Sequence, residues 1–172
     1  NTDIRVDIAG RKWVNCCGQD NFPDGEIFTS PVEDGINGVI TFSYPDIMNG
    51  NEFEEVRLTV EAGRITEAVC KNKEKQEILL SYIDTDEGSR RFGEVAIGTN
   101  YGITRHTKNI LFDEKIGGSM HMAIGEAFRE AGGKNESAIH WDMINDMTRE
   151  GRIYADGELF YENGKFKEEV LG

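Results

Sequence analysis

The chain is poor in the residues that build several familiar kinds of protein. It has three cysteines, Cys16, Cys17 and Cys70. Two are neighbours, poorly placed to bridge each other, and an odd count is no disulfide framework. No C-x-x-C occurs, which argues against a thiolate zinc site. The thiols read as buried or incidental side chains in a reducing compartment. Long hydrophobic runs are missing as well, and none approaches the ~20 residues that span a bilayer. No charged-then-apolar leader follows Asn1, so a cytoplasmic location is expected, with room for the chain to be a piece of a longer protein. Positive charge is scarce, at 19 Lys and Arg against 32 Asp and Glu, for a net charge of −13. Such a surface repels phosphate backbones and disfavours nucleic acid as a partner. Walker-type and Rossmann glycine patterns are absent, and no G-x-S-x-G elbow appears, which disfavours serine hydrolysis.

What remains describes a globular protein. The 172 residues suffice for one domain with a proper core. The first third alternates like strands. "DIRVDIAG" sets Ile4, Val6 and Ile8 on one side, with "GRKWVN" as its returning partner. A turn at Pro23-Asp24-Gly25 enters a strand at Glu26–Thr29, "GVITFSY" is β-prone, and Val56, Leu58 and Val60 precede a hairpin turn near Ala62-Gly63. "NKEKQEILLSYI" is rich in helix formers, and "RFGEVAIGTN" returns to strand character. "GGSMHMAIGEAFREAGG" predicts a second helix, capped by Ser119, closed at Gly132-Gly133, and carrying Met120, Ile124 and Phe128 at i, i+4, i+8. Asp156-Gly157 marks another hairpin. The pattern predicts an α+β domain over residues 1–172, strand-rich, mixed or antiparallel, with two or more helices.

The chemistry sits where charge interrupts apolar segments. In "SAIHWDMI" a strand puts His140 and Asp142 on one face, with Ile139 and Trp141 turned away. An imidazole beside a carboxylate is half of a metal site, half of a catalytic pair, or a buried structural pair. Glu26, Glu94, Glu114 and His121 share the oddity, and each alone also reads as a surface residue at an element end. Together they make four carboxylates and two imidazoles. One ion needs about four ligands, whereas six groups with waters suit two divalent cations about 3.5–4 Å apart. Four carboxylates also balance two such charges, the histidines binding neutral. His106 reads as an exposed loop residue. Asp113 and Asp146 read as exposed, or as partners that fix a histidine tautomer.

Four segments in order, "NFPDGEIFTSPVEDGINGVITF", "GEVAIGTNYGI", "LFDEKIGGSMHMAIGEAF" and "SAIHWDMI", resemble the thermophilic aminopeptidase (M29) family of metallopeptidases, from about Arg5 to Phe166. The family's proteins are more than twice this length, so the chain resembles their C-terminal, metal-bearing portion without the N-terminal domain. The resemblance implies metal ligands at Glu26, Glu94, Glu114, His121, His140 and Asp142, with Glu94 bridging two ions of zinc, cobalt or manganese. It implies hydrolysis of N-terminal residues from peptides with a free N-terminus, Glu94 or Glu26 as proton shuttle, and a homodimer. Two departures stand out. Phe128 occupies the place of a family tyrosine, with Tyr101 as a substitute donor, and the glycine turn before His121 is longer. These leave open a non-catalytic metal-binding or oligomerisation module.

Overall fold

The computed structural model describes residues 2–19 and 21–168. Strands β1 (Asp3–Val6), β4 (Ile36–Thr41), β7 (Arg57–Glu61) and β8 (Arg64–Val69) form a four-stranded sheet in that order. A five-stranded sheet runs β11 (His140–Asp146), β10 (Ser119–Gly125), β9 (Phe92–Gly98), β3 (Glu26–Thr29), β2 (Val14–Cys16). Smaller units are the hairpin of β5 (Asp46–Met48) with β6 (Asn51–Phe53), and a three-stranded ribbon of β12 (Arg152–Ala155), β13 (Glu158–Glu162) and β14 (Lys165–Phe166). Strand pairing is antiparallel throughout these sheets. Helices α1 (Gln76–Ile83) and α2 (Ile110–Asp113) complete an α+β fold.

The core lies between the two larger sheets. Ile40, Leu58, Val60 and Ile65 from the first meet Met120, Met122, Ile124, Trp141 and Met143 from the second, with Leu79 and Ile83 of α1 alongside. The strands alternate at period two, so the odd-numbered residues of β10 and the even-numbered residues of β11 face away from this core. The five-stranded sheet therefore has one apolar face and one face free for polar chemistry. Its edge strand β11 is covered by the chain at the start of β5. Tyr44 N–H donates to Ile144 O at 3.3 Å, and Ile144 N–H donates to Asp46 Oδ1 at 3.3 Å. Covering an edge keeps its backbone groups satisfied.

Several expectations change. The predicted helix across Ser119–Gly133 is strand β10 followed by a 3-10 turn, Arg129–Ala131. A spacing of four is also a multiple of two, so Met120 and Ile124 fit a strand equally well, and intervening Met122 completes the strand pattern. Gly132 does close a helical turn, in the left-handed region at φ 91°. The "GRKWVN" strand pairs with β3 rather than returning on β1. The turns at Ala62-Gly63 and Asp156-Gly157 are as expected, with φ positive at both positions, the signature of the tight hairpin turn that matches strand twist. Asn49-Gly50 and Asn163-Gly164 repeat it.

Candidate metal centre

Opposite residues on neighbouring strands share a face. Asp142 lies opposite Ala123, which lies opposite Glu94 on β9. His140 lies opposite Gly125, His121 opposite Ala96, and Ala96 opposite Phe28 of β3. Glu26 opens β3 beside Cys16 of β2. Alternation alone would send Glu94 to the same side as Phe92, which is in the core. A bulge resolves this. The register shifts between Ala123 and Ile124, so Ile124 pairs with Phe92, and Gly93 is the extra residue. Bulges re-aim side chains in this way. A Cβ on Gly93 would lie 2.1 Å from the Glu126 carbonyl oxygen, so only glycine fits there.

The six residues singled out in the sequence converge. His121 Nε2 lies 3.2 Å from Glu26 Oε2 and 3.6 Å from Glu94 Oε1. His140 Nε2 lies 3.1 Å from Glu94 Oε2 and 3.4 Å from Asp142 Oδ1. Three trios have ligand atoms all within 4.8 Å of one another: Glu26 with Glu94 and His121, Glu94 with His140 and Asp142, and Glu114 with His121 and Asp142. Glu94 belongs to two of them. Glu114 comes from a different element, the residue just after α2. Glu26, Glu94, Glu114, His140 and Asp142 line a cavity of about 370 Å³ together with Phe28, Phe128 and Glu130, while His121 lies buried behind it.

Protons are placed by the surroundings. His140 Nδ1 is 2.8 Å from the Glu126 carbonyl oxygen. A carbonyl can only accept, so Nδ1 carries hydrogen and Nε2 is the nitrogen turned to the carboxylates. Burial disfavours charge on both imidazoles, yet their carboxylate neighbours win. His121 is pushed well above its usual range by Glu26 and Glu94, and His140 is raised to about 11 by Asp142 and Glu94. Burial likewise opposes ionisation of Glu26 and Glu94, but the imidazoles hold both below the usual carboxylate range, with Lys115 assisting at Glu26. Glu114 goes the other way, raised to about 7 by burial and the Asp142 charge.

Lys115 is a buried member of the cluster that the sequence pattern does not single out. Its side chain is 1% exposed, with Nζ 2.7 Å from Glu26 Oε1 and paired with Glu114 Oε1. It changes the charge count: four carboxylates and Lys115 sum to −3, so two divalent cations bound there would leave the ligand set and Lys115 at about +1. Beside a glycine turn, a lysine in "DEKIGG" has the look of any solvated charge.

Neighbouring expectations also shift. Tyr101 does not line the cavity, and its Oη donates to Gly164 O at 2.8 Å. Phe128 does line it, packing on Phe28 at 4.7 Å and edge-on to His140 at 5.1 Å. His106 is not an exposed loop residue. It stacks on Tyr44 at 4.7 Å, and its Nε2 lies 3.2 Å from the buried Asp113. Asp113 thus orients a histidine, but not one of the six residues. Asp146 instead accepts from Thr148 N–H at 2.8 Å and from its hydroxyl. Burial and the nearby carboxylates raise the Cys16 thiol to about 11, so it stays protonated at neutral pH.

The donor set fits a divalent cation. Carboxylate oxygens and imidazole nitrogens are the ligands of zinc, cobalt and manganese. Glu26 Oε2 and His121 Nδ1 are buried with no hydrogen-bond partner among the described residues, and such atoms are costly to leave unpaired. A polar sheet face and the turn after α2 together gather four carboxylates and two imidazoles, a donor set of the cation-binding type. The chain belongs to the thermophilic metalloprotease (M29) family, whose sequence model matches residues 1–166. It is 37% identical to aminopeptidase AmpS of Bacillus subtilis, across 96% of the chain and 47% of that protein. It is 33% identical to aminopeptidase T of Thermus thermophilus, across 80% of the chain and 37% of that protein. The fold matches wild-type AmpT from Thermus thermophilus at a TM-score of 0.75 and 28% identity, covering 91% of this chain and 45% of that one. A 2,5-dihydroxypyridine dioxygenase from Pseudomonas putida matches at 0.62 and 23% identity, a likeness of fold alone. The chain spans less than half the length of the curated relatives it matches.

Proposed function

We propose that this chain is the metal-bearing portion of an aminopeptidase that removes N-terminal residues from peptides. Glu26, Glu94, Glu114, His121, His140 and Asp142 would hold two divalent ions of zinc, cobalt or manganese, with Glu94 shared by two of the trios. The observation that carries this reading is the three overlapping trios, two of which share Glu94. Bound there, divalent cations supply Lewis acidity to a peptide carbonyl and acidify water at neutral pH. Glu130, which lines the cavity outside the ligand set, is the carboxylate left to attract the ammonium of a free peptide N-terminus. A carboxylate must carry the proton from the attacking water to the leaving amine, a role open to Glu94 or Glu26 only where one of its oxygens is free of metal. Glu126 O fixes the His140 tautomer. Phe28 and Phe128 give the cavity an apolar wall that excludes water from one side.

A preceding N-terminal domain and a second copy of the chain would complete the peptide site, consistent with relatives more than twice as long. The three free cysteines suit the reducing cytoplasm. A second reading, a metal-binding or oligomerisation module without catalysis, is favoured by one observation. Among the described residues no hydroxyl side chain lines the cavity, and Phe128 stands where the family resemblance places a tyrosine. The deciding assay uses the full-length protein. Amino-acid release from unblocked peptides, none from N-acetylated ones, and loss of both metal and release with chelator are expected. Bound metal with no release from either peptide would favour the module.

A further inference from the structure

Lysine is almost never fully buried unless it is paired, and its ammonium offers three donors. Lys115 directs its ammonium to one oxygen of Glu26 and one of Glu114. These two carboxylates belong to different trios that meet at His121. We propose that Lys115 is a positioning residue that holds Oε1 of each, so that Glu26 and Glu114 each present a single remaining oxygen to a cation. The inference rests on the reading of this cluster as a metal centre. The remaining oxygen of Glu26 is Oε2, which is buried, without a hydrogen-bond partner among the described residues, and 3.2 Å from His121 Nε2. A carboxylate with both oxygens free can grip an ion with two atoms; one tethered to an ammonium grips with one.

The backbone around Lys115 is built for this placement. Asn100 N–H donates to Lys115 O at 2.9 Å, Gly117 N–H donates to Asn100 O at 2.9 Å, and Ile116 bridges Asn100 in parallel. Asn100 Nδ2 donates to Asp24 O at 2.8 Å, and Thr99 N–H donates to Gly25 O at 2.9 Å. Asn100 therefore locks the turn before Glu26 and the turn that carries Lys115 into one frame. Gly25, at φ 131°, lies so near that a Cβ would meet the Asn100 Cβ at 2.8 Å. A lysine that folded over the site from the surface would need none of these links.

The test compares the full-length wild-type protein with Lys115→Met. Zinc and cobalt(II) affinities are measured by competition with a chelator, below each protein's unfolding temperature, and the cobalt(II) absorption spectrum is recorded. Loss of a group that orients a ligand typically weakens metal binding by roughly 10–100-fold, and that loss is expected for Lys115→Met. The cobalt bands should weaken per ion as the freed oxygens raise the coordination number. Affinity within threefold of wild type, or tighter, with an unchanged spectrum overturns the proposal. Met122→Ala, on the core face of the same sheet, is the control for general destabilisation. An equal loss in that variant also overturns it. Should Lys115→Met not fold, Lys115→Arg decides, because a planar guanidinium cannot reproduce the point geometry. An altered spectrum and at least threefold weaker binding are expected, and no change in either is contrary. A wild-type protein that binds neither metal removes the metal-centre reading together with this inference. Tight wild-type binding that is indifferent to Lys115 removes the inference alone.

Discussion

Glu94 is the residue on which the proposed centre turns, because its two oxygens face two different imidazoles. Glu94→Gln should therefore remove both ions, whereas Asp142→Asn should leave one at near-normal affinity, as read by metal content after dialysis. The same carboxylates give the metal-free protein a distinctive pH dependence. His140 has a raised value of about 11 in the fold against an ordinary 6.5. Its stabilisation is thus full below about 6.5 and fades as pH climbs toward 11. Glu114, raised to about 7, acts in the same direction between 4.5 and 7. Glu26 and Glu94 are depressed, so their contribution is present above 4.5 and is lost in acid. The melting temperature of chelator-treated protein should fall as pH rises from 7 to 9.5. Metal affinity should rise over that range, because a bound imidazole must give up its proton. Parallel trends would contradict the ligand roles of the histidines. The six residues could be picked out in the sequence because a charge inside an apolar run is chemically conspicuous. Lys115 could not, since the partners that make its burial tolerable are 89 positions away at Glu26 and next door at Glu114.

At the scale of the element, β10 separates stability from chemistry residue by residue. Met122 is fully buried in the core and His121 faces the cluster. Met122→Ala should cost about 2–5 kcal/mol of stability and leave metal content intact, while His121→Ala should strip metal. A helix would not divide adjacent residues so cleanly, so equal metal loss from both would argue against the strand. Gly93 makes a second case. A methyl there would strike Glu126 O, the acceptor that fixes His140. Gly93→Ala should therefore lower both the melting temperature and metal affinity, although it touches no proposed ligand. Most strands were readable because period two is hard to imitate over five or six residues. The bulge was not. It left Phe92 and Glu94 two positions apart yet on opposite faces, and no local pattern announces that.

For the whole molecule, the sheet order β11-β10-β9-β3-β2 brings Glu26 and Asp142 to one face from 116 positions apart in the chain. Antiparallel pairing of strands consecutive in the chain explains β9 to β11, but the insertion of β3 beside β9 is a long-range choice made by the packing of two sheets on one core. Sequence pattern gave the strands their faces; it could not give them their neighbours, and "GRKWVN" was matched to the wrong one for that reason. The family likeness points to the proposed ligands without supplying those neighbours. The most direct measurement is anomalous scattering from crystals soaked in zinc or cobalt. Two peaks about 3.5–4 Å apart, with Glu94 between them and the other five side chains around them, are predicted. Peaks elsewhere, or none within reach of His121 and His140, would contradict the account.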